Sequence, residues 1–426
     1  MPDDLAVTAK TDDAKPAPPT ARMPTQRGPH GVRFDFNAGC TVYLPDDGSS
    51  WKVRFSDFPS GNVIYQTSFG AAAEPQPGRY RRVRSAKKYF IRFRIEVWRN
   101  GEPCLTHDYD ATDKDVLVRL PVLTLGDTVG WMSYAVKVPP AIGCRLTIAM
   151  SERLIPLFEK AYPHIRFVAV GEPDPTRYYA TYTVMLFYDD DAQNMQPCDF
   201  RLVGLHRTAA YILGVDPADA PPKLGAPEAP RPVPEPYVCI ASQATTQCKY
   251  WNNPNGWRDI VAFLKEAGYR VFCIDEKPVH GRDIVWNQIP YGSEDLTGQL
   301  PLEERVQWLR HADFFVGLSS GLSWLAWATG VPVVMIGGFT EPFNEFATPY
   351  RVINFQACHG CWHDVRHIFD RKDFLWCPRH KGTSRQFECS KLISAEQVKT
   401  AIRRIPGFLG GRQVAAKPRP AGDRAR

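Results

Sequence analysis

Residues 216–236 read DPADAPPKLGAPEAPRPVPEP, with eight prolines in twenty-one positions. No other stretch limits the architecture of this chain as much. Proline has no amide hydrogen to give to a helix or a ladder, and its ring fixes φ. Neither a helix nor a central strand can cross such a run, so it is read as a stiff inter-domain linker. The chain of 426 residues is long enough for two to three domains, at roughly 150 residues each.

On both sides of that run apolar strand-like segments alternate with helical ones. Before it come VRLPVLTLGDTVGW, RLTIAM, IRFVAV and TYTVMLFY, with the helical SERLIPLFEKAYP and FRLVGLHRTAAYILG between and after them. After it come YVCIAS, RVFCID, DFFVGLSSG and VPVVMIGG, separated by WRDIVAFLKEAGY, PLEERVQWLRHA and SGLSWLAWATG. In WRDIVAFLKEAGY, Trp257, Ile260, Val261 and Leu264 share one helical face, and Gly268 closes the helix. Strands alternating with helices imply parallel βαβ units. Two Rossmann-like lobes facing each other across a cleft are therefore expected, with ligands outside the carboxyl ends of the strands.

Ahead of the first lobe the period changes. Tyr89, Ile91, Phe93, Ile95 and Val97 are apolar at every second position, with Arg92, Arg94 and Glu96 between them, the pattern of a half-buried strand. TVYLPDDGSSWKVRF reads as a hairpin around Asp-Asp-Gly. The expected division is a disordered tail (1–30), a β-rich domain (31–120), an N-terminal Rossmann-like lobe (121–215), the linker (216–236) and a C-terminal nucleotide-binding lobe (237–356). A four-cysteine metal-binding segment (357–390), a terminal helix (391–410) and a basic disordered tail (411–426) complete it.

Composition excludes some function classes. The net charge of +6 suggests a polyanion binder, but the last sixteen residues carry five bases against one acid. The folded part is then nearly neutral, which argues against nucleic acid as a partner. The first thirty residues lack the apolar core of a secretory signal, and no run approaches the ~20 apolar residues of a membrane span. Eleven cysteines, an odd number without an export signal, point to a reducing compartment. The expected location is the cytoplasm.

Three short motifs carry chemistry. Gly317-Leu318-Ser319-Ser320-Gly321-Leu322-Ser323 lies where a strand meets a helix. Its glycines and free first-turn amides suit a diphosphate, and a plainly capped helix start is the competing reading. In Thr124-Leu125-Gly126-Asp127-Thr128 a carboxylate stands on a glycine-containing loop at a strand's carboxyl end, where it could take a proton from an attacking hydroxyl. The bland reading is an Asp N-cap. Lys249, after the first strand of the second lobe, could hold a departing diphosphate as a point charge, or be a solvated lysine. A fourth feature is Cys358, Cys361, Cys377 and Cys389, a C-x-x-C followed by gaps of fifteen and eleven residues. Four thiolates make a closed tetrahedral site for zinc or for a single iron, and the nearby His359, His363, His367 and His380 could replace one ligand. Asp189-Asp190-Asp191 has the spacing of a manganese-binding Asp-x-Asp, but it follows a strand and is read as a turn former.

Together TLGDT, Lys249 and the serine-rich turn leading into SWLAWATGVPVVMIGG resemble the lipopolysaccharide heptosyltransferases. With the β-rich region, DFRLVGLHRTAAYILGV and the cysteine-rich segment added, the chain is most similar to the bacterial autotransporter heptosyltransferases. That resemblance spans nearly everything from about residue 31. It implies an α/β GT-B glycosyltransferase fold and an inverting, metal-independent transfer of heptose from ADP-glycero-manno-heptose to serine or threonine hydroxyls of an autotransporter adhesin passenger domain. By the same resemblance Asp127 is the general base and Thr124 and Thr128 lie beside it. Lys249 binds the diphosphate, and Ser319, Ser320, Gly321 and Ser323 cradle it. Asp275, with Glu276, holds the ribose, the four cysteines carry iron rather than zinc, and the protein forms a homo-oligomer. A lipopolysaccharide sugar as acceptor, and a non-catalytic metal-stapled binding module, are the alternatives.

Overall fold

The computed structural model describes residues 23–71 and 73–409. The expected tails therefore lie outside the described residues, at 1–22 and 411–426. Regular structure begins inside the span expected as N-terminal tail, because Gln26–Arg27 pairs antiparallel with Arg33 and Phe34.

The C-terminal half forms a six-stranded, wholly parallel sheet. Its spatial order is Glu294–Asp295, Arg270–Cys273, Tyr237–Ile240, Phe314–Leu318, Val333–Ile336 and Arg351–Val352. The central strands are buried at every position, which is why they read as unbroken apolar runs and not as alternation. Helix Gly256–Glu266 packs Ile260, Val261 and Leu264 onto one face, beside Val398, Ala401 and Ile402 of helix Ala395–Arg403. A hairpin of Val279–Arg282 and Val285–Gln288 stands apart from the sheet and exposes Ile284 and Trp286.

The N-terminal half corrects three expectations. Strand Arg33–Asn37 pairs in parallel with Ala180–Thr183, so the β-rich region continues into the sheet of the first lobe. The order is Arg166–Ala169, Arg145–Met150, Asp115–Arg119, Ala180–Thr183, Arg33–Asn37, Thr41–Pro45 and Tyr80–Arg84. Asp115–Arg119, assigned by sequence to the β-rich region, is thus an inner strand of the lobe. The hairpin expected in TVYLPDDGSSWKVRF does not form. Thr41–Pro45 belongs to this sheet, whereas Trp51–Asp57 lies in a separate four-stranded antiparallel sheet with Val63–Phe69, Phe93–Arg99 and Glu102–Asp108. Within that sheet the predicted alternation holds, with Phe93, Ile95 and Val97 buried.

FRLVGLHRTAAYILG is two helices, Phe200–Val203 and Arg207–Leu213. They break at Gly204, whose φ is +91° and where a Cβ would meet the Phe343 carbonyl. SERLIPLFEKAYP yields only the 3-10 turn Glu152–Leu157, since Pro156 interrupts it.

The two halves join through glycines. Helix Leu125–Ala135 of the first lobe and Gly321–Thr329 of the second pack at their N-terminal ends. A Cβ on Gly126 would come 2.9 Å from Trp324, one on Gly130 3.1 Å from the same ring and 3.2 Å from His206 Cβ, and one on Gly321 3.1 Å from Leu125 Cβ. His206, fully buried, approaches the Asn344 carbonyl through Nδ1 at 3.3 Å and Asp219 of the proline-rich run through Nε2 at 2.9 Å. Arg207 also pairs with Asp219, and Arg310 donates to the Ala226 carbonyl at 2.8 Å. The proline-rich run is therefore fastened to both lobes.

Gly130→Val would force a branched side chain into the Trp324 contact and is expected to destabilise the protein by about 1–3 kcal/mol. Thermal denaturation tests this against Gly171→Val, where a Cβ meets nothing within 4 Å and little change is expected.

Candidate active site and metal segment

TLGDT is not a loop. Thr124 stands at the N-cap in extended backbone, and Asp127 lies in the first turn of helix Leu125–Ala135. The Thr124 hydroxyl makes no cap bond to a backbone amide. It donates to Asp127 Oδ2 at 2.5 Å and so fixes the carboxylate, which is half-exposed. Thr128 is fully buried and returns its hydroxyl to the Thr124 carbonyl at 2.9 Å. It holds the turn together from inside the protein.

The serine-rich turn is arranged differently from the expectation too. Ser319 is buried and donates to Glu345, while buried Ser323 donates to the Leu318 carbonyl at 2.5 Å. Both hydroxyls are used inside the protein. Ser320 is the half-exposed N-cap of helix Gly321–Thr329, and its side chain makes no cap bond. What this turn offers a ligand is Ser320 and the amides of Gly321 and Leu322, at the positive end of a helix dipole, since the Ser323 amide already donates to the Ser320 carbonyl at 3.1 Å. The start of the Asp127 helix lies against it across Gly126 and Gly321.

Lys249 ends a 3-10 turn, Gln247–Lys249. Its ammonium lies 5.6 Å from the Phe339 ring centroid and 5.8 Å from that of Phe369. Among the described residues it makes no ion pair. Asp275 is 1% exposed and accepts from the Ser242 amide (2.8 Å), the Ser242 hydroxyl (2.9 Å) and the Gln243 amide (3.2 Å). That carboxylate braces the loop leading to Lys249 and is not presented to a ribose, whereas Glu276 is exposed. Asp190 is likewise consumed by the amides of Asn194, Met195 and Gln196, as a turn former should be.

The four cysteines expected as ligands lie close enough to interact electrostatically, but among the described residues only Cys358 of the four belongs to a group of ligand atoms within 4.8 Å of one another. All four are free thiols. Burial pushes the Cys361 thiol up to about 12, with Cys358 and Cys377 close enough to add to the shift. Cys389 is raised by burial and then by Cys361, Cys248, Cys377 and Cys358. His380 and Glu388 reach Cys358, their ligand atoms all within 4.8 Å of one another. Buried thiols this hard to ionise are the environment that a soft cation reverses by binding thiolate. Thiol, imidazole and carboxylate donors of the kind grouped at Cys358, His380 and Glu388 suit zinc or iron.

Three features had no signal in the sequence. Glu345, 1% exposed, accepts from Ser319, Thr340 (2.9 Å) and Asn344 (2.9 Å), and pairs with Arg351 at 2.6 Å. Burial opposes its charge, but Arg351 and these donors hold its carboxyl below the usual range. Tyr188, raised to about 12 by burial, lies within electrostatic reach of Arg371 and Asp127 and packs on Phe200 and Trp362. Cys248, taken from its position as a scattered hydrophobe, adjoins Cys377 and Cys389. Cys248 and Tyr188 meet partners more than 100 residues away, and the partners of Glu345 lie in three separate segments, so no local pattern marks any of the three.

Residues 28–101 match the family described as glycosyltransferase TibC, N-terminal domain. Residues 213–365 match glycosyltransferase family 9 (heptosyltransferase). Over 389 residues the chain is 51% identical to the autotransporter heptosyltransferase BAHTCr of Citrobacter rodentium, covering 91% of this chain and 92% of that protein. A solved structure of TibC, described as a dodecameric iron-containing heptosyltransferase in complex with ADP-D-beta-D-heptose, is 49% identical. It superposes with a TM-score of 0.84 and covers 92% of this chain and 100% of that one. BimC of Burkholderia thailandensis, named an inactive autotransporter heptosyltransferase, is 45% identical over 92% of this chain and 89% of its own length.

Glu345→Ala leaves Arg351 buried without its partner and is expected to cost about 3–5 kcal/mol. Replacing both Glu345 and Arg351 by Met should recover only part of that loss, because Ser319, Thr340 and Asn344 lose their acceptor in both variants. Urea unfolding of the two variants beside wild type measures the difference.

Proposed function

This chain belongs to the autotransporter heptosyltransferases, and on that premise we propose that it transfers heptose from ADP-heptose to serine or threonine hydroxyls of an autotransporter adhesin. It is a glycosyltransferase with the α/β fold of TibC, including the N-terminal domain. We read its two parallel-sheet lobes as the halves of a GT-B fold, and residues 357–390 as a segment in which four cysteines hold iron. The observation that carries the catalytic reading is the meeting of two helix starts. One bears Asp127 steadied by Thr124, the other the free amides after Ser320, and Gly126 and Gly321 hold them in contact.

In the reaction so read, the acceptor oxygen attacks the anomeric carbon of the heptose from the face opposite the phosphate. Asp127 takes the hydroxyl proton as the new carbon–oxygen bond forms. The bond from the anomeric carbon to the diphosphate breaks, and ADP leaves with the electron pair. Lys249 and the first-turn amides of Gly321–Thr329 receive its charge in place of a metal ion. Ser320 and Gly321 line this cradle, whereas Ser319 and Ser323 act from behind it. The segment's iron serves structure, since four protein ligands leave no open position.

A protein acceptor is favoured over a lipopolysaccharide sugar by the match of the N-terminal region to that of TibC. Among the described residues no helix is long and apolar enough to cross a membrane, and we place the reaction in the cytoplasm. TibC is described as a dodecamer. We propose a homo-oligomer here as well, with exposed Ile284 and Trp286 as apolar surface that an assembly would cover.

Intact-mass analysis of an adhesin passenger fragment, incubated with ADP-heptose and this protein, is expected to show a ladder of heptose-sized additions. Asp127→Asn should remove it, a loss of at least 10²-fold in rate. A ladder that persists in the variant would discard Asp127 as the base. No ladder from wild type, with ADP-heptose still bound, would group the chain with its inactive relative BimC.

A further inference from the structure

The loop carrying Lys249 is held from outside its own lobe sheet by residues of the cysteine segment and just after it, and also by His280 and Asn287 of the two-stranded hairpin. The Gln247 amide donates to the Phe374 carbonyl at 2.9 Å. The Lys249 ammonium rests over Phe369 as well as Phe339. Asn252 Nδ2 reaches the carbonyls of Gln247 and Tyr250, each at 3.0 Å, and the hydroxyl of buried Ser390 at 2.9 Å, while Gln247 Nε2 donates to Asn252 Oδ1 at 2.7 Å. Cys248 is buried and close enough to Cys377 and Cys389 to interact electrostatically with both. Gly338, just before Phe339, leaves no room for a Cβ against Cys389.

We propose that the metal segment positions the diphosphate-binding lysine, with Asn252 as the positioning residue that links the Lys249 loop to Ser390, next to the ligand Cys389. The physical argument is one of entropy and reach. Lysine is a flexible point charge, and its contribution to anion binding depends on how narrowly its backbone and stem are held before the ligand arrives. The strand Tyr237–Ile240 ends well before Lys249, and Ser242–Gln243 are fixed by Asp275. From Gln247 to Asn252 the tethers to other parts of the chain run to Phe339, Phe369, Phe374, Ser390 and Ile393, and to His280 and Asn287 of the hairpin, so that the cysteine segment supplies the holds at the Gln247 amide, the Lys249 stem and Asn252. A segment cross-linked by a metal through Cys358, Cys361, Cys377 and Cys389 is a rigid wall for that loop. The same segment without its cross-link leaves the loop's backbone free to wander.

This inference rests on the reading of Lys249 as the diphosphate ligand, and the test separates the two. ADP affinity is measured by titration calorimetry on the full chain, together with iron and zinc content by elemental analysis. Lys249→Ala is expected to weaken ADP about tenfold to a hundredfold, the range of one charge-assisted contact. Asn252→Ala is expected to keep its metal and weaken ADP to a similar extent, and to add almost nothing when combined with Lys249→Ala. A general loss of structure would not produce that non-additivity. Stripping metal with a chelator should weaken ADP in wild type and change little in Lys249→Ala. Wild-type affinity in metal-loaded Asn252→Ala, or equal weakening with and without Lys249, overturns the proposal. Should Asn252→Ala fail to fold, Ser390→Ala, which deletes one hydroxyl, is judged by the same two criteria. If Lys249→Ala alone binds ADP like wild type, the lysine reading fails and the positioning role falls with it.

Discussion

The architecture depends on how closely two helices can approach at their N-terminal ends. Gly126, Gly130 and Gly321 remove the side chains that would hold Leu125–Ala135 away from Gly321–Thr329, and Trp324 fills the space they leave. Helix N-termini carry partial positive charge, so two starts brought together from different lobes form an anion-seeking corner that neither lobe has alone. His206 packs against the same tryptophan and reaches the proline-rich run through Asp219. The lobes therefore share one continuous apolar core, which includes Val129, Trp131, Trp324 and Phe346.

Charge beneath this corner is compensated before any ligand arrives. Two buried carboxylates lie behind the site, and both are saturated with donors. Asp275 takes the Ser242 and Gln243 amides, and Glu345 takes Ser319, Thr340, Asn344 and Arg351. A buried carboxylate left unsatisfied is costly, so these groups fix their loops in one arrangement. The hydroxyls of Ser319 and Ser323 are spent inside the protein, and in the proposed function the anion would be met by backbone amides and one lysine. Backbone donors suit that task because their positions are set by the helix itself.

The metal segment extends the same logic. Burial disfavours the thiolates of Cys361 and Cys389, surroundings that a bound cation would reverse by drawing off those protons. Trp362 and Phe369 of this segment pack with Phe339 and Phe200. The segment thus touches both lobes, and it lies beneath Lys249 and near Tyr188.

Local pattern was enough for much of the chain. Unbroken apolar runs at Tyr237–Ile240, Phe314–Leu318 and Val333–Ile336 identified a buried parallel sheet. The 3.6-residue period of Trp257–Leu264 identified a helix, and the prolines of 216–236 a connection without regular structure. Each is legible because its cause lies within a few residues of its effect. The misreadings share the opposite property. The turn at Asp46-Asp47-Gly48 carries the chain between two sheets because Thr41–Pro45 finds partners in Arg33–Asn37 and Tyr80–Arg84, and no local rule names those partners. TLGDT becomes a helix start through packing against Trp324. Thr128, Asp275, Ser319 and Ser323 had the right chemistry in the right motifs, yet which way each side chain turns was decided by partners up to 33 residues away. The sequence by itself determined the elements, the linker and the inventory of reactive groups. Only the tertiary structure decided which of those groups face the cleft, because burial and hydrogen-bond satisfaction are properties of the packed chain and not of any segment.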